Sequence, residues 1–593
     1  MSIQSLAKKL AHHAFLLAFC LAVGISLIKA VVLGQDMMQR FAGLGNDDIM
    51  RMSMVRDLIA GQSWFDQTQY RIVPPQGVPI HWSRFIDAGI AAVIVPLSWF
   101  MPMPQAEMVG VVIWPTLILI LTIAVVGFGT RRVFGDAEAV FALTCLVFWP
   151  LTADLHARPG NIDHHNVQFL MMSIVLLSLV WRGNLVRAGL VVGMAAAFSL
   201  AVGLENLVFI VLSGVVFLVR ACFSRGAYIA QLHAFCIALV AAASVLWIGQ
   251  APDDFRFARI CDQLGVPVLT LILIASVASL VPFQVLRPAA GGWVFLGGAS
   301  ALTLGGLAFA WPLTATCLAG PYAALTPEIS QFIGEKINEA RPGLIFFQQR
   351  PTAALLFPLP IIATVLLGFN LLATQRRTKV LPQETVLAVR IYLMFCLVGL
   401  ALVAYQMRTI NLAATPVPML AGVILAVGMR DYLRTRTAGD ASKLLLSVLF
   451  MTQPTILVYA LGPYLPPSTA SLSGFECRTY DIIDSLNDVP PATILSHASF
   501  GPVTIWVTHH DVLAALYHRS EAAMSNAILP WQASAEEVEA VVRATGAELL
   551  MLCKGQQLES EVLNGLSEGV TLPWLRAIPV DREELLLYEV LPE

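Results

Sequence analysis

The sequence predicts an α-helical polytopic membrane protein with a small C-terminal α/β domain. Of its 593 residues, 57% are hydrophobic and only 13% are charged, whereas roughly a quarter of the residues of a soluble protein are charged. The mean hydropathy is +0.74, and apolar runs close to the ~20 residues that cross a bilayer recur along most of the chain. These features exclude a soluble enzyme.

Charge is distributed unevenly along the chain. The formal net charge is -3, but residues 466–593 contain 6 Lys and Arg against 18 Asp and Glu, whereas the residues before them contain 30 against 21. We therefore expect two parts, a basic transmembrane domain over residues 1–465 and an acidic soluble domain over residues 466–593.

Thirteen apolar segments are predicted to span the membrane. The first follows Lys8 and Lys9 and has no small-residue cleavage site before Gln35, which indicates a retained helix with a cytoplasmic N-terminus. The predicted spans are residues 14–33, 108–128, 139–153, 167–181, 190–204, 207–218, 232–248, 266–281, 293–311, 353–372, 391–405, 413–427 and 444–461.

Residues 86–100 are apolar but short, and a Pro-rich stretch follows them. If this segment lies at the outer interface, every Arg-rich loop falls on the cytoplasmic side, in agreement with the positive-inside rule. The loops 34–103, 249–265 and 312–351 then lie outside, together with the acidic tail. Together with the surplus of Arg, this arrangement is typical of a bacterial inner membrane protein with a periplasmic C-terminal domain.

The tail alternates helix-like and strand-like pieces, which indicates a small α/β domain. These pieces are residues 480–486, 492–507, 535–545, 547–553 and 584–590.

Nine cysteines are scattered along the chain without a CxxC motif, which argues against a zinc or iron–sulfur cluster. Four of them lie in predicted external segments, where disulfides are permitted. Cys261 with Cys317 and Cys477 with Cys553 are plausible pairs, and free buried thiols are the alternative.

Three polar clusters lie in the predicted external loops, at residues 45–51, 158–165 and 335–342. Acids and imidazoles in this combination suit Mg²⁺ or Mn²⁺, and such an ion neutralises a phosphate-bearing donor during group transfer. The alternative is that these are ordinary solvated loop acids.

In order and topology, the clusters resemble the catalytic subunit of oligosaccharyltransferases, which are membrane glycosyltransferases of the GT-C fold. The resemblance rests on Asn46-Asp47 followed by Arg56-Asp57, on Gly160-Asn161-Ile162-Asp163-His164-His165, and on Asn338-Glu339 before Pro342. It implies a GT-C-like transmembrane domain, a polyprenyl-phosphate-linked sugar donor, and single-displacement transfer with inversion to an extracytoplasmic acceptor.

The resemblance also implies a divalent metal, Mg²⁺ or Mn²⁺, and a role for each matching residue. Asp47 would be a metal ligand and the acid that activates the acceptor, and Asp48 is its substitute. The remaining roles are Asp163 and His165 as metal partners, Glu339 as the late-loop acid, and Arg408 as the contact to the lipid phosphate.

One family feature is absent. The chain has no Trp-Trp pair, so the Trp-Trp-Asp-Tyr-Gly signature that reads the acceptor peptide is missing. The resemblance therefore implies sugar transfer to a glycan, lipid or protein, without specifying peptide N-glycosylation.

Two other classes of membrane protein, transporters and scaffolds, agree less well with these residues. A transporter or flippase for a lipid-linked or polar substrate has the same hydropathy, but it predicts charges near the bilayer midplane rather than in external loops. A membrane-anchored scaffold leaves the acidic clusters unexplained. The tail strings Thr508-His509-His510-Asp511 and Tyr517-His518-Arg519 are either a second metal or acceptor site or solvated turn residues. Basic residues lie mostly beside spans, so nucleic-acid binding is not indicated.

Overall fold

The computed structural model describes residues 3–153, 155–252, 255–318, 325–336, 340–379, 381–468, 477–556 and 558–592. In these residues the chain is mostly helical, and a five-stranded sheet forms near its C-terminus. The predicted fold class is confirmed.

The helices up to residue 461 include both long membrane helices and short helices of the connecting loops. They are α1 (Ile3–Gly34), α2 (Met37–Ala42), α3 (Asn46–Ile59), α4 (Arg84–Ser98), α5 (Met103–Val133), α6 (Asp136–Phe148), α7 (Pro150–Ala153), α8 (His165–Leu179), α9 (Leu185–Val202), α10 (Leu207–Ser224), α11 (Ala227–Gln250), α12 (Val266–Val285), α13 (Gly292–Phe309), α14 (Trp311–Leu318), α15 (Pro327–Lys336), α16 (Gly343–Gln349), α17 (Pro351–Leu356), α18 (Pro358–Thr378), α19 (Gln383–Val403), α20 (Ile410–Ala414), α21 (Val417–Thr435), α22 (Ala438–Thr452) and α23 (Pro454–Leu461).

Nine of the described helical segments are long and apolar enough to cross a membrane, and the number rises to eleven if each of two bent helix pairs is one span. Each of the thirteen predicted segments lies mostly on helices, although several extend past a helix end or across a break between two helices. However, α6 and α8 have 13 and 15 residues, fewer than the ~20 that a full crossing needs. The count of thirteen spans therefore stays a prediction.

The ambiguous segment at residues 86–100 forms most of α4. The hydroxyl of Ser83 caps this helix by accepting a hydrogen bond from the backbone N–H of Phe85 at 3.3 Å, and Ile90 is fully buried. Directly after the helix, Trp99 and Phe100 are 74% and 83% exposed. Aromatic residues are enriched at membrane–water interfaces, so these side chains fit an interfacial position.

Helices α9 and α11 pack closely because glycines face the neighbouring backbone. A Cβ atom at Gly189 would lie 2.4 Å from the carbonyl oxygen of Gln231, and one at Gly193 would lie 2.6 Å from that of Phe235. Small residues allow this close approach in membrane helix pairs, where packing rather than the hydrophobic effect drives association.

The C-terminal region is a mixed sheet flanked by helices. The strands are β3 (Thr493–Ser496), β4 (Asp511–Val512), β5 (Leu549–Cys553), β6 (Leu575–Ile578) and β7 (Leu585–Val590), after a small hairpin of β1 (Thr68–Gln69) and β2 (Val78–Pro79) in the first external loop. The helices are α24 (Tyr480–Asp484), α25 (Gly501–Val507), α26 (Glu521–Gln532), α27 (Val538–Ala544) and α28 (Glu561–Ser567).

The strand order is β4-β3-β5-β7-β6, with β4, β3 and β5 parallel and β7 antiparallel to both of its neighbours. The central strand β5 is buried throughout. Met551 and Cys553 belong to one hydrophobic core, whereas Leu550 and Leu552 belong to another. This alternation shows that both faces of the sheet are covered.

The tail is attached to the first external loop through backbone and side-chain contacts. Ile72 forms an isolated parallel β-bridge with Val512 of β4. The guanidinium of Arg71 donates to the carbonyl oxygens of Ile505 at 2.6 Å and Thr508 at 2.8 Å. One hydrophobic core contains residues of both α3 and α25. The domain boundary at residue 466 stays a prediction, and the packing across it is continuous.

Two disulfides join Cys261 to Cys317 and Cys477 to Cys553, so both proposed pairs are confirmed. The first holds the external loop 249–265 against α14. The second joins Cys477, shortly before α24, to the end of β5.

Candidate active site

The carboxyl group of Asp48 binds the loop between α7 and α8 to the first turn of α3. This carboxyl group is buried, and its Oδ1 accepts hydrogen bonds from the backbone N–H groups of Ile162 at 2.8 Å and Asp163 at 3.0 Å. Burial, followed by the charge of Asp163, raises the pKa of Asp48 to about 8. Asp48 therefore positions the loop, whereas its neighbour Asp47 is exposed on the same turn.

Asp163, His164 and Glu205 form a hydrogen-bonded chain. The two ring nitrogens of His164 lie 2.7 Å from Asp163 Oδ1 and 3.1 Å from Glu205 Oε1. Burial opposes the charged form of His164, but the two carboxylates outweigh it and raise its pKa to about 10. Burial also opposes ionisation of Asp163 and Glu205, yet His164 holds the pKa of each carboxyl well below its usual range.

His165 is the imidazole of this loop that remains able to bind an ion. Its Nε2 lies 3.5 Å from Asp163 Oδ2. Potential ligand atoms of Asp163, His164 and His165 all lie within 4.8 Å of one another. Both nitrogens of His164 face carboxylates, and the raised pKa of this ring favours its charged form, which has no lone pair for a metal. The structure thus brings Asp163 and His165, the two predicted metal partners of this loop, next to each other.

The buried side chain of Arg51 forms an ion pair with Asp163. Arg51 of α3 is fully buried, and its Nη1 and Nη2 donate to Asp87 Oδ1 and Asp163 Oδ1, each at 2.9 Å. The guanidinium also lies 4.6 Å from the ring centroid of Trp82. Arg84 donates to the second oxygen of Asp87 at 3.2 Å. Buried charges are tolerated when they are paired in this way, and the pairing fixes the orientation of Asp163.

The tail contributes Tyr517 to the same site. This side chain is 5% exposed, and its ring packs edge-on against Trp82 with centroids 5.6 Å apart. Its hydroxyl has no hydrogen-bond partner among the described residues. Burial and then the charges of Asp47 and Asp163 raise the pKa of Tyr517 well above its usual value. Asp47, Asp163 and Tyr517 therefore share one neighbourhood.

Arg408 lies in a 3₁₀ helix, Met407–Thr409, between α19 and α20. It is half-buried, and its positive charge, after those of His164 and His165, helps to lower the pKa of Glu205. Arg408 thus lies close to the Asp163–His164–Glu205 chain. Glu339, the predicted late-loop acid, falls outside the described residues.

The sequence did not indicate that Arg51 and Asp87 pair around Asp163, and it left Glu205 and the string that contains Tyr517 without a definite role. Glu205 carried a signal, because a lone carboxylate directly before an apolar segment is costly unless it is paired. Arg51 and Asp87 are 36 residues apart, and no local periodicity indicates their contact.

No protein-family model and no curated protein matches the chain. Solved structures of an oligosaccharyltransferase from Archaeoglobus fulgidus are similar to it. The form tethered to an acceptor peptide with the NVT sequon gives a TM-score of 0.64 at 14% identity, covering 91% of this chain and 69% of that one. The enzyme, named AglB, with an inhibitory peptide and a dolichol-phosphate gives 0.59 at 13%, covering 90% and 69%. A complex with Zn and sulfate gives 0.57 at 14%, covering 91% and 68%. At these identities the likeness shows the fold, which is the GT-C fold that the sequence resemblance implied.

Proposed function

We propose that this protein is a membrane glycosyltransferase that moves a sugar from a polyprenyl-phosphate-linked donor to an extracytoplasmic glycan, lipid or protein. The observation that carries the proposal is that Asp163 and His165 lie side by side in a GT-C fold, with the exposed Asp47 and the half-buried Arg408 in the same neighbourhood. Support also comes from the A. fulgidus enzyme, which is described in complexes with a dolichol-phosphate and with an acceptor peptide.

The side chains fit a divalent cation. Asp163 Oδ2 and His165 Nε2 are 3.5 Å apart, and two ligands of one ion, each about 2.0–2.2 Å from it, are separated by roughly 3–3.5 Å. The carboxylate of Asp47, exposed on the first turn of α3, would supply a further oxygen when an ion binds. We propose that these three residues hold Mg²⁺ or Mn²⁺, which would neutralise charge on the donor phosphate. One A. fulgidus structure contains Zn, which accords with a cation site in this fold.

The remaining steps belong to residues of this chain. Arg408 binds the lipid phosphate and stabilises the negative charge that grows on it as the sugar departs. Asp47 accepts the proton of the acceptor nucleophile while the anomeric carbon is attacked from the opposite side, which inverts its configuration. Glu339 helps to hold the acceptor. The pairing of Asp163 with Arg51 and His164 keeps its carboxylate charged and oriented before substrate binds.

The test is sugar transfer by purified protein in the presence of a polyprenyl-phosphate sugar. Asp163→Asn and His165→Ala should each lower the rate by about 10²-fold or more, since loss of an electrostatic catalytic group has effects of this size. Asp47→Asn should have a similar effect. Excess EDTA should also stop turnover.

Asp440→Asn is the matched control, because Asp440 pairs with Lys443 at 3.2 Å at the start of α22, in a predicted cytoplasmic loop. It should keep wild-type activity. Full activity in EDTA would overturn the metal, and full activity of Asp163→Asn would overturn the site.

A further inference from the structure

A second cluster of metal-binding side chains lies where three distant segments meet. His81 follows the hairpin of the first external loop, Asp262 belongs to the loop 249–265, and His518 follows β4 in the tail. One ligand atom from each residue lies within 4.8 Å of the other two. His518 Nε2 is 2.8 Å from Asp262 Oδ2, and the ring centroids of His81 and His518 are 4.7 Å apart.

This cluster shares no side chain with Asp47, Asp163 and His165. A small cavity of about 20 Å³, lined by His81, Asp262, His164 and Glu205 among others, lies between it and the Asp163–His164–Glu205 chain. The ligand atoms of two imidazoles and one carboxylate, from three different segments, thus lie together beside this cavity. Solvated turn residues, the alternative for the string Tyr517-His518-Arg519, do not account for this arrangement, because His518 and Asp262 are largely buried.

Arg519 also contacts Asp262, and the geometry leaves room for both partners. Its Nε and Nη2 each donate to one oxygen of Asp262 at 2.7 Å. An ionised carboxylate offers about four lone-pair sites, so Asp262 can bind the guanidinium and still ligate an ion. An arginine behind a ligating carboxylate is a second partner of the kind that orients metal ligands.

We propose that His81, Asp262 and His518 form a second divalent-metal site, of the zinc class, which joins the tail to two external loops. Two imidazole nitrogens with one carboxylate oxygen are a ligand set that Zn²⁺ favours, and a fourth position is left for water. The metal would replace the proton between His518 and Asp262. The carboxylate of Glu205 lies close enough for its charge to act on His81, and it would offset part of the charge of the ion.

Several features hold the three ligand residues in position. The disulfide from Cys261 fixes the residue next to Asp262. The residues on both sides of His81, Ile80 and Trp82, are buried. Because the three ligands lie far apart in sequence, an ion bound here would resist separation of the tail from the membrane domain. This inference does not depend on the proposed glycosyltransferase activity.

The test is the zinc content of the full-length protein in detergent, after stripping with a chelator and dialysis against ZnCl₂ alone. It is made in an Asp163→Asn/His165→Ala background, so that the first site does not contribute. This background should retain one zinc ion per chain, and the further change His81→Ala/His518→Ala should remove it. The control His509→Ala alters another tail histidine, which is exposed, and should keep the zinc.

A spectroscopic variant distinguishes ligand loss from misfolding. With Co²⁺ in place of zinc, His518→Cys should add a thiolate-to-metal charge-transfer band in the near ultraviolet, which the His509→Cys variant should lack. Zinc should also raise the Tm of the parent protein but not that of the His81→Ala/His518→Ala variant. Equal zinc content with and without the two histidines, or no new band in His518→Cys, would overturn the proposal.

Discussion

At the scale of single residues, two adjacent acids on one helix turn have separate tasks. Asp47 is exposed and Asp48 is buried. The sequence could place both on a cluster that faces the outer side, but it could not distinguish them. The distinction comes from the backbone N–H groups of Ile162 and Asp163, which bind Asp48 and lie more than 100 residues away.

We expect Asp48→Ala to destabilise the protein more than Asp48→Asn. Alanine leaves two buried N–H groups without an acceptor, at a cost of about 1–3 kcal/mol each. Asparagine keeps an acceptor oxygen without charge and resembles the protonated acid that the pKa of about 8 favours near neutral pH. Thermal unfolding in detergent measures the difference. Equal destabilisation by both variants would show that the carboxyl group itself, rather than its acceptor oxygen, is needed.

His497 of the tail should make stability depend on pH. Burial, followed by the charge of Arg478, lowers its pKa from 6.5 to about 4, and its Nδ1 accepts a hydrogen bond from the backbone N–H of Ser499 at 3.3 Å. The unfolded chain therefore binds the proton more tightly. The stabilisation is complete above pH 6.5 and is lost as the pH falls toward 4, by about 3 kcal/mol at most.

The measurement is the free energy of unfolding between pH 7 and pH 4 for wild type and His497→Asn. The Asn oxygen can still accept from Ser499 but does not titrate in this range. The variant should therefore lose less stability than wild type as the medium becomes acidic. Parallel curves for the two proteins would rule out His497 as the titrating group.

At the scale of elements, the apolar runs predicted the membrane helices, and α3 shows why the site was harder to predict. All residues of α3 from Asp48 to Val55 are buried. Because loops and tail cover this stretch of the helix all round, it has no solvent-facing polar side. Its sequence therefore lacks the amphipathic period by which helices are recognised. The polar cluster at residues 45–51 was visible, but the partners that surround it come from three other segments.

The disulfide Cys477–Cys553 should contribute strongly to the stability of the tail. It joins Cys477, which precedes α24, to β5 across a sequence separation of 76 residues, and a bridge of this kind typically contributes about 2–4 kcal/mol. We expect Cys477→Ser/Cys553→Ser to lower the Tm measured without reductant. Cys20→Ser, which removes an exposed free thiol, is the control and should leave the Tm unchanged. An unchanged Tm in the double variant would show that packing alone holds this end of the sheet.

At the scale of the whole molecule, the first external loop, the loop 249–265 and the tail converge above the membrane helices. The acids of each loop could be identified in the sequence, but the residues that pair with them in the folded chain could not. His81 with His518 and Arg51 with Asp163 are contacts between segments that only the folded chain brings together. The proposed function requires a lipid donor to be held where these loops meet the membrane helices, and we propose that the half-buried Arg408, which follows α19, binds its phosphate.

Arg408→Ala should therefore abolish retention of a polyprenyl-phosphate glycolipid by the purified protein. Loss of a charge-assisted phosphate contact removes one of the strongest kinds of hydrogen bond in a binding site. Native mass spectrometry of protein in detergent detects the bound lipid, and its mass gives the sugar. Arg434→Ala is the matched control, since this exposed arginine lies in the last turn of α21, at the end away from Arg408, and this variant should retain the lipid.

Equal lipid occupancy in Arg408→Ala and wild type would contradict the role of Arg408. Absence of glycolipid even from wild type would contradict a stable donor complex and favour the transporter alternative, because a protein that only moves its substrate across the bilayer need not hold it through purification.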